Sequence, residues 1–279
     1  MEEMKALNAD IFCLQEVGVS YHPMLSKALE EIGYTGDFYQ KMLATQEGLA
    51  TYYRKSAFEC LAVKKISYNE MLSEALGLIG LDPSLSMEWE RDQVFLMTKL
   101  THLKTREIVT IGNIHTIWDY FSQPDVTLLQ AALALEHLVK FAEGGAFIFA
   151  GDFNVAPHMP TYSFLAKGQL TDSETSVVKN AATVLFDGKP LFEALENLYS
   201  HPYSSLSSSY SEVRSQEPNM TSYDDNEGER PYCLDYIWYN KDKLKVNCVL
   251  DTILQPTSRI PNRIFPSDHL SIKATFSFF

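Results

Sequence analysis

Residues 146–154 read AFIFAGDFN. The first five, Ala146 to Ala150, are apolar without a break and follow the helix-stopping pair Gly144-Gly145. A run that short and that apolar reads as a fully buried strand. Polar residues begin at once where it ends: Gly151, Asp152, Phe153, Asn154. Just upstream, residues 126–141 set Leu128, Leu129, Ala132, Leu133, Leu135 and Leu138 on one broad helical face. A helix with such a face must bury it against another element, here a sheet.

Working outward, the same alternation recurs. Ile11–Val17 (IFCLQEV) is a buried strand with polar residues at its far end. Residues 48–54 and 58–64 read as an antiparallel pair, and 93–102 with 106–115 as a hairpin turning near 103–105. Further strands are expected at 234–239, 245–254 and 270–278. Helices are expected at 23–32, closed by Gly33, and at 69–80, 162–167 and 191–198. Residues 81–91 and the Ser/Tyr-rich stretch 199–214 read as surface connections. Strands that mostly follow one another, with few long helices, suit a four-layer α/β sandwich: two mixed sheets face to face, helices outside.

The 279 residues are enough for one large domain, and no internal seam or repeat divides them. Apolar residues make up 46% and charged residues 21%, a globular balance. No apolar window approaches the roughly 18 residues a membrane span needs. The net charge of −13 argues against a passive RNA-binding module. It leaves open an enzyme that grips a few phosphates through a bound cation. Cys13, Cys60, Cys233 and Cys248 are widely separated and lack zinc spacing, which indicates reduced thiols. An intracellular enzyme is expected, cytoplasmic in the first instance, with the mitochondrion and nucleus left open. No membrane association and no obligate protein partner are expected.

Polar clusters sit at the ends of several of these strands: Gln15-Glu16, Asn113 with His115, Asp152 with Asn154, and Asp235 together with Ser267-Asp268-His269. Alone, each is ordinary. A carboxylate beside a strand is usually solvated, and a lone histidine is more often packed or exposed than functional. Strand ends of one sandwich can converge on one rim, however. Carboxylates, asparagines and histidines gathered there would make a site for a hard cation and a phosphate. The carboxylates would repel one another without that cation.

The segments DIFCLQEV (10–17), EGLATYYRKSAF (47–58), GNIHTIW (112–118) with PDVTLLQ (124–130), AGDFNVAP (150–157), LDYIWY (234–239) and FPSDHL (265–270) resemble, in order, the endonuclease/exonuclease/phosphatase superfamily. They are most similar to its CCR4/nocturnin/angel/2′-phosphodiesterase branch. The resemblance implies a DNase I-like fold and a Mg²⁺-dependent phosphodiesterase, with Mn²⁺ as the alternative ion. The implied substrate is single-stranded RNA or oligoadenylate, cut from the 3′ end to nucleoside monophosphates by a deadenylase or a 2′,5′-oligoadenylate phosphodiesterase.

By that resemblance Glu16 is the principal metal ligand, and Asp152 orients or deprotonates the attacking water and touches metal. Asn154 holds the scissile phosphate or the nucleophile. His115 binds phosphate, and His269 stabilises the transition state, oriented by Asp235 or Asp268. Asn113, Trp118, Tyr120, Arg230 and Tyr232 are the expected substrate contacts, the aromatic ones by base stacking. The family pattern has a proline near Tyr120 that is absent here. It also has an early strand bearing an asparagine, well before the glutamate, whereas this chain reaches Glu16 almost at once. A single catalytic domain over residues 1–279, without that strand, is therefore expected. Two alternatives stay open: another phosphoester substrate (a 2′,3′-cyclic phosphate end, a dinucleotide cofactor, a lipid headgroup), or a catalytically impaired scaffold.

Overall fold

A computed structural model describes residues 1–41, 45–82, 84, 91–118, 123–181, 185–186, 189–201, 206–224, 230–251, 260–263 and 265–279. The chain begins with α1 (Glu2–Leu7), β1 (Ile11–Gly18), α2 (His22–Glu31), β2 (Tyr34–Gln40), β3 (Glu47–Arg54), β4 (Phe58–Ser67) and α3 (Tyr68–Leu78). There follow β5 (Val94–His102), β6 (Ile108–His115), α4 (Pro124–Ala142), β7 (Ala146–Asp152), α5 (Pro160–Lys167) and α6 (Asp172–Ala181). After β8 (Leu185–Phe186), β9 (Lys189–Pro190), α7 (Leu191–Ala194) and a 3-10 turn (Glu196–Tyr199) come β10 (Leu206–Ser208) and α8 (Ser209–Arg214). The chain ends with β11 (Ser222–Asp224), β12 (Arg230–Tyr232), β13 (Asp235–Asn240), β14 (Leu244–Val249) and β15 (Ala274–Phe278).

Four layers result. The central sheet has the order β10-β13-β7-β6-β5-β4 and is mixed, since β6 and β7 run parallel. Strands β1-β3-β2 and the hairpin β14-β15 form the facing layer. Alternation along each strand decides what fills the space between them. Ile11 and Cys13 of β1 turn inward to meet Val109 and Ile111 of β6, and Phe276 and Phe278 of β15 join them. Phe12 and Leu14 of β1 turn outward onto Leu25 and Leu29 of α2. On the far side, Phe95, Phe147 and Phe149 lie under Leu129, Leu133 and Leu138 of α4. The helices are therefore outermost, as the sandwich requires.

The Ser/Tyr-rich stretch is a correction. It reads as a surface loop, yet β10 and α8 lie within it, and Ser208, Ser209 and Tyr210 are buried. Strand β10 pairs with β13, and Ser208 Oγ donates to Glu217 Oε2 at 3.0 Å. The Ser208 hydroxyl thus finds a partner inside the fold, which offsets the cost of its burial. The last strand starts at Ala274 rather than at residue 270. His269 instead bridges Ser222, and Leu270 N donates to Thr221 O, which holds this segment to the β11 region. Strand β14 stops at Val249, ahead of Leu250 and Asp251; residues 252–254 lie outside the described residues. Among the described residues no helix is long and apolar enough to cross a membrane.

Candidate active site

Three strands bring one side chain each to a common rung. Parallel pairing sets His115 of β6 opposite Asp152 of β7, and antiparallel pairing sets Asp235 of β13 on the other side of Asp152. All three residues are buried. By strand alternation they share the face of Ile111, Ala150 and Ile237, which looks toward the facing layer. Gly151 makes this rung tight. Its φ is +145°, and a Cβ there would lie 2.0 Å from the Ile114 carbonyl oxygen, so β7 can close on β6 only with glycine at this position.

The chain leaves β7 by a tied turn. Asn154 N donates to Asp152 Oδ1 at 2.8 Å, and Asn154 Nδ2 donates to Thr116 O at 3.1 Å. Asn154 has φ +49°, a left-handed conformation that asparagine tolerates better than most residues. Glu16 reaches the rung from the facing layer. Strand β1 bulges between Leu14 and Val17, and Glu16 takes φ +54°. A bulge turns a side chain off the strand's regular alternation. Glu16 Oε1 thereby comes within 4.0 Å of His115 Nε2.

His269 completes the set. Tyr223 N donates to Asp268 O, and Thr221 Oγ1 accepts from both Leu234 N and Asp235 N. This network brings His269 Nδ1 to 2.8 Å from Asp235 Oδ2 and His269 Nε2 to 3.7 Å from Asp152 Oδ2.

The electrostatics follow from burial and charge pairing. Burial, and then the Asp235 carboxylate, push the Asp152 carboxyl well above the usual range. Burial alone would lower His269, but Asp235 outweighs it and raises the imidazole to about 10. His115 is lowered to about 3, first by burial and then by the charges of Lys41 and His269. It is therefore neutral. Partial desolvation and Glu47 push Glu16 up, while Lys41 pulls it back.

Of the residues singled out in the sequence, Glu16, His115, Asp152, Asn154, Asp235 and His269 are brought together. The choice between Asp235 and Asp268 as the partner of His269 falls to Asp235; Asp268 is exposed. Asn113 needs correction as a substrate contact. It is fully buried one pleat below the rim, where it accepts from Gln15 Nε2 at 2.7 Å and donates to Leu14 O and Ala50 O. It braces the two sheets and presents nothing to a substrate. Trp118 is 76% exposed, three positions past His115. Tyr232 on β12 is partly buried; Tyr120 and the side chain of Arg230 lie outside the described residues. The sequence reading gave no role to Lys41 or Glu47. Nothing in a lone lysine after a polar strand marks it, and only the β2–β3 hairpin brings it to Glu47, where Lys41 Nζ lies 2.6 Å from Glu47 Oε1.

The donor set fits a divalent cation. Ligand atoms of Asp152, Asp235 and His269 lie within 4.8 Å of one another, as do those of Glu16, Glu47 and His115. His115 Nε2 stands 3.7 and 4.0 Å from the Asp152 and Glu16 carboxylates, too far for hydrogen bonds. Carboxylate oxygens beside imidazole suit a hard ion.

A profile of the Endonuclease/Exonuclease/phosphatase family matches residues 1–269. The chain belongs to this family. Its similarities lie in the CCR4, nocturnin and angel branch. The CCR4-Not complex 3′-5′-exoribonuclease subunit Ccr4 of Aspergillus niger is 26% identical over 319 residues, covering 99% of this chain and 46% of that protein. This chain thus spans just under half the length of that curated relative. The crystal structure of ANGEL2, described as a 2′,3′-cyclic phosphatase, is 25% identical with a TM-score of 0.78, covering 99% of this chain and 83% of that one. The human nocturnin catalytic domain with bound sulfate is 23% identical with a TM-score of 0.66, covering 100% of this chain and 84% of that one. That last likeness speaks to fold alone.

Proposed function

We propose that this family member is a Mg²⁺-dependent phosphodiesterase that trims single-stranded RNA or 2′,5′-oligoadenylate from its end, releasing nucleoside monophosphates. The observation that carries the reading is the in-register row of His115, Asp152 and Asp235, faced by Glu16 and clamped by His269. Glu16 and Asp152 would hold the ion, which supplies positive charge to the non-bridging phosphate oxygens and makes a bound water more acidic.

The protein's own groups do the rest. Asp152, with its carboxyl held high, takes the proton of the attacking water. Asn154, fixed by Thr116 O, offers its remaining amide atoms to the nucleophile or the phosphate. His115 is kept neutral and presents Nε2 to a phosphate oxygen. His269, charged through Asp235, meets the negative charge that builds on the phosphorane-like transition state. Water adds to phosphorus, and the sugar oxygen leaves with a proton as the hydroxyl of the shortened chain. Trp118 offers its exposed ring to an unpaired base.

The test uses 5′-labelled oligoadenylates, one 3′,5′-linked and one 2′,5′-linked, with Mg²⁺ or with EDTA. A Mg²⁺-dependent ladder is expected, and Asp152→Ala should slow it by ~10²–10⁴-fold. The faster linkage identifies the substrate. A second reading rests on the likeness to ANGEL2: removal of a 2′,3′-cyclic phosphate from an RNA end. An oligonucleotide carrying that end would lose the phosphate ring without shortening. No Mg²⁺-dependent change to any of the three substrates would overturn both readings.

A further inference from the structure

We infer that Thr221 is a positioning residue for the active site: its hydroxyl and its carbonyl hold the two chain segments whose side chains, Asp235 and His269, meet there. The inference rests on the phosphodiesterase reading above and goes on to the residue that sets the geometry of this pair.

Asp235 and His269 lie 34 residues apart in the chain. Asp235 opens β13. On one flank β13 pairs with β7 as far as Asp235 itself. On the other flank, among the described residues, β10 pairs with Asn240, Tyr239 and Trp238 and reaches no further. Strand pairing therefore holds the start of β13 on one side only. His269 lies outside the named strands, ahead of β15 at Ala274. Keeping its Nδ1 at 2.8 Å from Asp235 Oδ2 needs both backbones fixed by something else.

Thr221 fixes both. Its Oγ1 accepts from Leu234 N at 2.9 Å and from Asp235 N at 3.0 Å, taking the amides at the start of β13 where β10 does not reach. Its carbonyl oxygen accepts from Leu270 N at 2.7 Å, and the next residue, Ser222, bridges His269 itself. Thr221 is anchored in turn by its own amide, which donates to Tyr232 O at 2.7 Å at the base of the β11–β12 hairpin. The residue is fully buried. Two donors on one hydroxyl oxygen use both of its lone pairs. The bonds made by the Thr221 backbone survive a change of side chain. Those to Leu234 and Asp235 need an oxygen on the Thr221 Cβ, and without it two buried amides lose their partner. One side chain thus ties the aspartate's strand to the segment that carries the histidine.

The experiment compares Thr221→Val, which keeps the shape and removes the acceptor, with Thr221→Ser, which keeps the acceptor, in the full chain. Crystal structures of the metal-free wild type and of Thr221→Val read the geometry. The contact between His269 Nδ1 and Asp235 Oδ2 should lengthen beyond hydrogen-bonding range in Thr221→Val. On the oligoadenylate that the wild type cleaves, kcat should fall ~10-fold in Thr221→Val with KM little changed, and Thr221→Ser should restore most of it. On an Asp235→Asn background, Thr221→Val should cost nothing further, because the pair it serves is already broken. Thermal melting checks that each variant is folded; should Thr221→Val fail, Thr221→Cys, a weak acceptor, takes its place. An unchanged contact in the folded variant would overturn the inference, and so would a lengthened contact with kcat intact. Equal losses in Thr221→Val and Thr221→Ser, or a full further loss on the Asp235→Asn background, would overturn it too, leaving Thr221 a packing residue. A wild-type chain that alters none of the substrates would bring down the phosphodiesterase reading, and the crystal comparison would still decide whether Thr221 sets the pair.

Discussion

His269 and Asp235 form an ion pair whose strength can be read as a function of pH. The unfolded imidazole titrates near 6.5 and the folded one near about 10, so the fold holds the charged form. That contribution is fully present below pH 6.5 and is lost as pH rises toward 10. In metal-free protein, Asp235→Asn should melt several degrees below wild type at mildly acidic pH, and the two should converge at the alkaline end. A constant difference in melting temperature across that range would show that the pair carries no linked charge. His115 acts in the opposite sense. Its folded pKa of about 3 lies below 6.5, so it costs stability as pH falls between those values. The two histidines, one charged and one neutral, differ because one has a carboxylate at hydrogen-bonding distance and the other has carboxylates only beyond it.

At the scale of the element, the sheets are pinned together beneath the site by Asn113. It joins β6 to β1 through Gln15 and Leu14, and to β3 through Ala50. Asn113→Leu, nearly equal in size, would leave the Gln15 amide and two carbonyl groups without their partner, at a cost of about 1–3 kcal/mol. Denaturant melting should show that loss with the slope unchanged, and an unaltered midpoint would contradict the brace. Asn113 also shows how far the sequence could be read. Alternation puts residues 109, 111, 113 and 115 on one face, and so Asn113 beside His115, but it does not say which pleat is the rim. Asp152 was legible because an unbroken apolar run stops there. Glu16 was legible as a residue type, while the bulge that turns it onto His115 leaves no mark in IFCLQEV. Lys41 and Ser208 were opaque for a common reason: each is buried with a partner, Glu47 or Glu217, that only the folded turn between them brings close, and local composition reports only solvent preference.

Across the whole molecule, the facing layer is not continuous. Strand β1 pairs only with β3, and β15 only with β14, among the described residues. Between these two edges lies a cavity of about 630 Å³, with Ile11, Cys13, Val109, Ile111, Phe276 and Phe278 in its walls. It runs from Phe58 and Phe278 at one end to Gln15, Ser267 and His269 at the other, so the seam opens onto the candidate active site. Helix α1 ties its two sides together, since Lys273 Nζ donates to Leu7 O and Ser271 Oγ donates to Glu3 Oε1. Backbone groups along an unpaired edge exchange with solvent through small local openings, whereas those of a strand bonded on both sides need a larger one. Amide hydrogens of residues 11–18 and 274–278 should therefore exchange at least ~10-fold faster than those of β6, which is paired on both flanks. Mass spectrometry of the exchanged, digested chain reads this directly. Protection of β1 and β15 equal to that of β6 would mean that the seam is closed in solution. Faster exchange there, with β6 and β7 protected, would mean that the row His115–Asp152–Asp235 stands on a rigid sheet while Glu16 and His269 approach it from the yielding side.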